Sequence, residues 1–230
     1  MKQKSLLILF FTFFFLSAFS QEKEKKFSFK KGEVMDLIYL SSHPDTEQLF
    51  EQYKKTAFPV AFEYGYQPQR GFAVKELTLG MNQSNSLIVG KWSSREKREG
   101  FLANIVQRVP DFHQQRRQIF EEFALTYYIM PRDLEFSTAS GKFYTATSFW
   151  QKDANSLERF SQKWKRAIEK AGGKIILELE EGYSPTGYYF NPELFFIVEW
   201  EERDPFEIFA EANPLSSYEA LKHVHQVVIQ

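Results

Sequence analysis

Four histidines, His43, His113, His223 and His225, are the side chains of this sequence best suited to proton transfer or metal binding. His223 and His225 are two positions apart, so both rings leave the same face if the segment is extended. Such a pair can begin a metal site, but the spacing supplies no third ligand. We therefore predict no metal and no cofactor, and a solvated or hydrogen-bonded pair. His113, His223 and His225 remain weak candidates for a catalytic base, and the catalytic residues are otherwise unknown.

Aromatic side chains are the candidates for binding a ligand. Two tryptophans end apolar strands, where a ring can belong to the core or stack on a bound molecule. A Gly/Pro-punctuated hairpin over residues 181–192 carries four more aromatic rings, which cover a cavity mouth in one interpretation and fold onto the protein body in the other. The predicted pocket residues are Tyr39, Trp92, Trp150, Trp200, Tyr183 and Tyr188.

Several classes of chemistry lack their usual signatures. The chain has no cysteine, which excludes disulfides, thiolate metal sites and cysteine nucleophiles. The sequence contains no P-loop, no G-x-G-x-x-G, no H-E-x-x-H and no G-x-S-x-G. The formal net charge of −1 gives no attraction to nucleic acid. The cationic run Arg95, Lys97 and Arg98 is predicted to be solvated.

The first 20 residues are typical of a secretory signal peptide. Lys2 and Lys4 precede an apolar run, and Ala18-Phe19-Ser20 offers small residues before a cleavage site at Gln21. The run is short for a membrane span. Removing it takes away two lysines and no acid, which changes the formal charge from −1 to −3. We expect an exported protein, periplasmic or extracellular, whose residues 21–32 form a polar, mobile leader.

The remaining chain has the pattern of one unit written twice. Residues 87–92 and 195–200 are both apolar runs that end in tryptophan, 108 positions apart, and each leads into a charged helix start. The apolar run of residues 195–198 predicts a strand buried on both faces. Hydrophobic periodicity and capping residues give the order β-α-β-β-α-β twice, in unit 1 (33–131) and unit 2 (142–230).

This order is the ferredoxin-like arrangement, an antiparallel sheet with both helices on one face. The other face would also be apolar here, and apolar area is not left in water at roughly 25 cal/mol per Å². We therefore predict an α+β protein in which two tandem ferredoxin-like units pack sheet to sheet as an intrachain barrel. Its state would be a monomer by this internal pseudo-dimer, or a homodimer.

The pattern resembles the dimeric α/β-barrel superfamily, which includes antibiotic-biosynthesis monooxygenases, haem-degrading monooxygenases and NIPSNAP-type domains. The resemblance covers residues 33–230 and is carried by the two Trp-ended strands and the helices that follow them. It implies a cavity between sheet and helices in each unit, used in relatives for aromatic, polyketide or haem substrates. The haem-degrading relatives combine a helix histidine with a tryptophan and a strand asparagine. Trp92 and His113 could match two of these, but residues 34–40 contain no asparagine.

Two functions are left open by the sequence. The first is an exported protein that binds a small apolar or aromatic ligand in a sheet–helix cavity. The second, implied by the resemblance, is a cofactor-independent monooxygenase or isomerase acting on aromatic or polycyclic substrates. A histidine pointing into a pocket beside Trp92 or Trp200 would favour the enzyme, and histidines facing water would favour the binding protein.

Overall fold

The computed structural model describes residues 24–153, 157–185 and 190–230. The predicted signal peptide lies outside these residues. The described strands are β1 (Glu24–Phe29), β2 (Val34–Ser42), β3 (Gln67–Pro68), β4 (Phe72–Leu79), β5 (Ser86–Trp92), β6 (Phe120–Ile129), β7 (Leu134–Ala139), β8 (Phe143–Gln151), β9 (Lys174–Glu180), β10 (Leu194–Trp200) and β11 (Leu221–Ile229). The described α-helices are α1 (Glu47–Glu63), α2 (Arg95–Arg108), α3 (Phe112–Ile119), α4 (Leu157–Lys170) and α5 (Arg203–Ala212).

A nine-stranded antiparallel sheet organises the molecule. Its strand order is β6-β2-β5-β4-β11-β8-β10-β9, and the short β3 pairs with β5. The first half of the order contains β2, β4, β5 and β6, which lie in the sheet in the sequence fourth, first, third, second. The second half contains β8, β9, β10 and β11, which lie in the same sequence. The two halves are joined where β4 pairs with β11, with Leu77 opposite Val227.

The first and last strands of this order also meet. Tyr127 of β6 and Tyr183, just after β9, form an isolated antiparallel bridge. The amide of Tyr127 donates to the carbonyl of Tyr183 at 2.8 Å, and the reciprocal bond is 2.9 Å. An edge strand leaves unpaired backbone groups that invite aggregation, and this bridge ties the two edges together.

Both faces of the sheet are buried. Phe195 and Ile197 belong to an interior core that draws side chains from both halves of the strand order, whereas Phe196 and Val198 pack against α4 and α5. All four are at most 3% exposed. The prediction of a strand buried on both faces is therefore confirmed. A third core lies between the first-half strands and helices α1, α2 and α3.

The interior core contains a buried polar group at one end. His225 is 3% exposed, and its ring lies 4.9 Å from the Tyr39 ring and 5.6 Å from that of Phe190. Ser148 is the cross-strand partner of His225. Among the described residues, neither imidazole nitrogen of His225 has a hydrogen-bond partner, and the hydroxyls of Tyr39 and Ser148 have none either. Burial lowers the pKa of His225 to about 4.

The structure corrects the expectation of a mobile leader. Residues 24–29 form β1, which pairs with β7 so that Phe27 stands opposite Phe136. The two rings stack with centroids 4.4 Å apart, and Phe27 and Phe29 are buried in the interior core. The alternation of these phenylalanines with polar residues is the period of a strand, and β7 supplies the partner. β7 itself was not predicted.

Local sequence signals predict that the first helix ends or kinks at Pro59, that a helix continues through Phe123, and that a short last helix starts at Ser216. The first helix does not end at Pro59, and the other two predictions were wrong. α1 continues four residues beyond Pro59, because Val60 and Ala61 are buried and their packing holds the helix together despite the missing donor. The segment 120–123 opens β6 instead of extending a helix, because β2 offers it a pairing partner as far as Ser42. The last predicted helix is a 3₁₀ turn, Leu215–Ser217.

We expect Phe27→Ala to lower the free energy of unfolding by about 3 kcal/mol, because it removes a buried ring from the interior core. Lys26→Ala, at an exposed position of the same strand, is the control and should change little. Urea denaturation followed by circular dichroism measures both. Equal stability of the two variants would mean that β1 is not part of the fold.

Acid should weaken the fold through His225. Its pKa is lowered in the folded state, so the imidazole is uncharged there and protonation favours the unfolded chain. The contribution to stability is complete above about pH 6.5 and is lost as the pH falls towards 4, by about 3 kcal/mol. The His225→Phe variant lacks this dependence. Urea denaturation at pH 7, 5.5 and 4 should show the wild type losing stability relative to the variant as the pH falls, and a constant difference between the two would contradict the assignment.

Candidate functional site

A cavity of about 450 Å³ lies between the first-half strands and helices α1, α2 and α3. We call it the first-half cavity. Most of its wall is apolar, and aromatic rings contribute the largest share. The aromatic lining residues are Phe50, Tyr53, Phe58, Tyr66, Trp92, Phe101, Phe120 and Phe123.

The cavity follows from side-chain size and strand alternation. In β2, Asp36, Ile38 and Leu40 line the cavity, whereas the alternate residues Leu37 and Tyr39 join the interior core. The facing helix α1 places Ala57 and Ala61, one turn apart, against the same space. Because both positions are alanine, the helix and the sheet leave a gap that larger side chains would fill.

A buried ion pair stands in the wall of the cavity. Arg98 Nε donates to Asp36 Oδ1 at 3.0 Å, and Trp92 Nε1 donates to Asp36 Oδ2 at 2.9 Å. The side chains of Arg98 and Asp36 are 2% and 3% exposed. The Arg98 guanidinium also lies 5.5 Å from the Trp92 ring centroid and 5.0 Å from that of Tyr127, within the range of a cation–π contact. Both carboxylate oxygens are thus occupied by donors from α2 and β5.

One nitrogen of the Arg98 guanidinium lacks a hydrogen-bond partner among the described residues. Arg98 Nη1 is buried and has no hydrogen-bond partner in the part of the chain that the structure describes. A buried donor of this kind is normally paired, and an exception requires an explanation. Because Arg98 lines the first-half cavity, its guanidinium is a charged group of this wall that still lacks an acceptor among the described residues.

A second arginine lines the same cavity. Arg116 Nε donates to the Tyr53 hydroxyl at 3.0 Å, and its guanidinium lies 4.2 Å from the Phe112 ring centroid and 4.5 Å from that of Phe123. Burial, with the nearby Asp36 charge adding, raises the pKa of Tyr66 well above its usual value, so this wall residue stays protonated. The lining therefore holds two cations and one anion.

In the second half of the strand order, the residue equivalent to Asp36 is uncharged. Strand pairing places Trp92 opposite Val34 and Trp200 opposite Phe143, which makes Thr145 the equivalent of Asp36. Trp200 Nε1 donates to Thr145 Oγ1 at 3.2 Å, as Trp92 donates to Asp36. The indole therefore keeps an acceptor, but the acceptor is uncharged.

The arginine is replaced as well. Phe206 follows Trp200 by six residues, as Arg98 follows Trp92. The Phe206 ring lies 5.8 Å from the Trp200 ring and is 4% exposed. Phe209 contacts both Trp200 and Trp164, with centroids 5.1 and 4.8 Å apart. An aromatic ring thus takes the place of the arginine, and Phe206 and Phe209 line a different cavity, of about 530 Å³, in the second half.

The predicted pocket residues do not share one pocket. Trp92 lines the first-half cavity, and Trp200 belongs to the second-half core. Tyr39 and Trp150 both contact Phe190 at one end of the interior core, with centroids 5.3 and 4.8 Å apart. Tyr183 is 37% exposed and lies at the strand bridge. Tyr188 lies outside the described residues.

The histidines do not line the first-half cavity. His113 is exposed at the start of α3, and partial burial, with the charges of Arg116 and Arg117 adding, lowers its pKa. His43 and His223 are exposed, and the His223 ring lies 6.5 Å from that of Trp150. No group of three His, Asp or Glu that could hold a metal was found among the described residues. None of the described helices is long and apolar enough to cross a membrane.

Sequence reasoning missed the buried ion pair of the site. Arg98 was expected to be solvated, but it is 1% exposed. The signal was its spacing, since Arg98, Phe101 and Ile105 recur at helical intervals on the inner face of α2. Asp36 was equally visible as an acidic residue in the apolar strand β2. An acidic residue on the apolar face of one element and a basic residue on the apolar face of another together indicate a buried ion pair.

Comparisons with known proteins show the fold. No family model matches the chain, and no curated protein matches its sequence. An anthrone oxidase-like protein is similar in structure, with a TM-score of 0.50 at 12% identity over 88% of this chain and 94% of that chain. A mutant chlorite dismutase from Candidatus Nitrospira defluvii gives a TM-score of 0.48 at 8% identity, covering 88% of this chain and 92% of the other. A candidate monooxygenase from Lactobacillus acidophilus NCFM gives a TM-score of 0.42 at 11% identity, covering 87% of this chain and 94% of the other. The likeness to the anthrone oxidase-like protein concerns the fold alone. The helices and the large antiparallel sheet of this chain confirm the predicted α+β class.

Proposed function

We propose that this protein binds a small, mainly aromatic molecule in the first-half cavity. The observation that carries the proposal is the cavity itself, about 450 Å³ with eight aromatic residues in its lining. Its volume falls within the roughly 300–1,000 Å³ of small-molecule sites, which combine apolar walls with a few polar groups. The second half of the chain has Thr145 and Phe206 where the first half has Asp36 and Arg98, which supports a specific role for the charged pair in the wall of the first-half cavity.

The alternative is a cofactor-independent monooxygenase or isomerase of aromatic or polycyclic substrates. Such an enzyme needs a base within hydrogen-bond reach of its substrate. The four histidines lie away from the first-half cavity, and both oxygens of Asp36 already accept hydrogen bonds. These positions favour binding over catalysis. The likeness to the anthrone oxidase-like protein concerns the fold and supplies no catalytic residue.

The architecture that we infer is a barrel formed within one chain by two tandem ferredoxin-like units. Three features support it: the repeated strand order, the bridge between Tyr127 and Tyr183, and an interior core that draws residues from both halves. The equivalent roles of Trp92 and Trp200 at a spacing of 108 residues support duplication of one unit. A chain of this kind is complete as a monomer, and a homodimer is the alternative.

Export is the third element of the proposal. It rests on residues 1–20, whose charged start, apolar run and small residues before Gln21 are typical of a signal peptide. The ligand would then be met in the periplasm or outside the cell.

The neutral aromatic dye N-phenyl-1-naphthylamine provides a test of the binding site. We expect saturable 1:1 binding by the wild type, seen as a rise in dye fluorescence. Ala57→Phe places a ring in the cavity and should weaken binding at least tenfold, about 1.4 kcal/mol. Gln52→Phe is the matched control, since Gln52 lies on the exposed face of the same helix.

Thermal unfolding of both variants verifies that they are folded. Absence of saturable binding by the wild type would contradict the proposed site. So would equal affinity of the wild type and a folded Ala57→Phe variant.

A further inference from the structure

We propose that the ligand of the first-half cavity is an aromatic carboxylate, and that the Arg98 guanidinium binds its carboxylate group. This inference rests on the proposed function and deepens it. The earlier proposal needs only an apolar cavity, whereas this one assigns the charge of the ligand and the residue that recognises it.

The first argument is the hydrogen bonding of the buried pair. Asp36 accepts from Arg98 Nε and from Trp92 Nε1, so each of its oxygens is already engaged. Arg98 Nη1 has no partner among the described residues, although the residue is 1% exposed. A buried charged donor without an acceptor is unfavourable. A carboxylate in the cavity would supply that acceptor through a charge-assisted hydrogen bond.

The second argument is charge. Among the described residues, two arginines, Arg98 and Arg116, and one carboxylate, Asp36, line the cavity. Tyr53 and Tyr66 add hydroxyl groups to the same wall. Guanidinium groups in an apolar wall attract an anion and repel a cation.

The third argument comes from the second half, which works as an internal control. There Thr145 satisfies the Trp200 indole without any charge, and Phe206 replaces the arginine. The fold therefore does not require an ion pair at this position. The charged pair occurs together with the aromatic cavity of the first half, and Thr145 and Phe206 replace it in the second. This association points to binding as the reason for the buried arginine.

The fourth argument concerns the rest of the ligand. Eight aromatic residues line the cavity, and ring faces and edges pack best on another flat ring. The combination of a ring-lined cavity and one cationic donor selects a molecule with an apolar ring system and an acidic group.

Isothermal titration calorimetry with 2-naphthoate and its neutral analogue 2-naphthamide tests the inference at pH 7. We expect the wild type to bind naphthoate at least tenfold more tightly than the amide. The key variant is Asp36→Thr/Arg98→Met, which removes both charges and leaves Trp92 a hydroxyl acceptor, as Thr145 does for Trp200. Its preference for naphthoate should be at least tenfold smaller than that of the wild type, although Arg116 remains in the wall. Arg203→Met, which removes an exposed cation in the second half, is the control and should keep the preference.

The outcomes separate the two proposals. Equal binding of both probes by the wild type would overturn the assignment of a carboxylate and leave the aromatic site standing. Failure of both probes to bind would remove the site itself. A preference for naphthoate that is unchanged in the double variant would show that Arg98 is not the recognising residue.

The double variant should also be more stable than Arg98→Met alone, which leaves the Asp36 charge buried without its partner. Midpoints of urea denaturation measure this order. A single variant as stable as the double variant would show that Asp36 and Arg98 do not act as a pair.

Discussion

Burial of both faces of one antiparallel sheet is the constraint on which the rest of this structure depends. The interior core takes alternate residues from strands of both halves, and the helices cover the residues that point the other way. An antiparallel sheet commonly leaves one face to solvent, with alternating polar residues. Here the strands instead read as nearly continuous apolar runs, as in residues 194–198. The chain can leave neither face open, and this explains why its edges meet at Tyr127 and Tyr183.

The interior core also explains how the outer layer can differ between the two halves. Because the sheet is held from within, the helix layer on one side does not have to be filled completely. In the first half, the small residues Ala57 and Ala61 of the helix layer lie opposite the sheet that carries the ion pair. In the second half, the large residues Trp164 and Phe209 are part of the helix layer. A buried ion pair adds little to stability compared with apolar side chains of similar volume. Its presence in one half is therefore more easily explained by recognition than by folding.

Most of the strands and the two equivalent tryptophans could be predicted from the sequence, because hydrophobic runs and their periodicity indicate which residues of a segment are buried. Residues 195–200 and 87–92 were recognisable on these grounds alone. Strand β1 was not, because its polar composition masks the alternation of Phe27 and Phe29, and its partner β7 is more than 100 residues away. Arg98 was misplaced for a related reason. Its neighbours Arg95 and Lys97 are exposed, and only the three-dimensional position of Asp36 shows that one member of the run turns inward.

Binding selectivity in this molecule is concentrated in very few positions. Trp92 and Trp200 have the same hydrogen-bonding requirement, and one carboxylate or one hydroxyl satisfies it equally well. The difference lies in the residue six positions after each tryptophan, which is Arg98 in the first half and Phe206 in the second. A carboxylate at position 36 can hold an arginine in an apolar wall, because it neutralises the guanidinium through Nε and leaves Nη1 uncommitted. A hydroxyl at position 145 cannot neutralise a cation, so an uncharged aromatic ring is the compatible neighbour. The identity of one side chain on a strand thus decides whether the helix above it carries a donor into a cavity or a ring into a core.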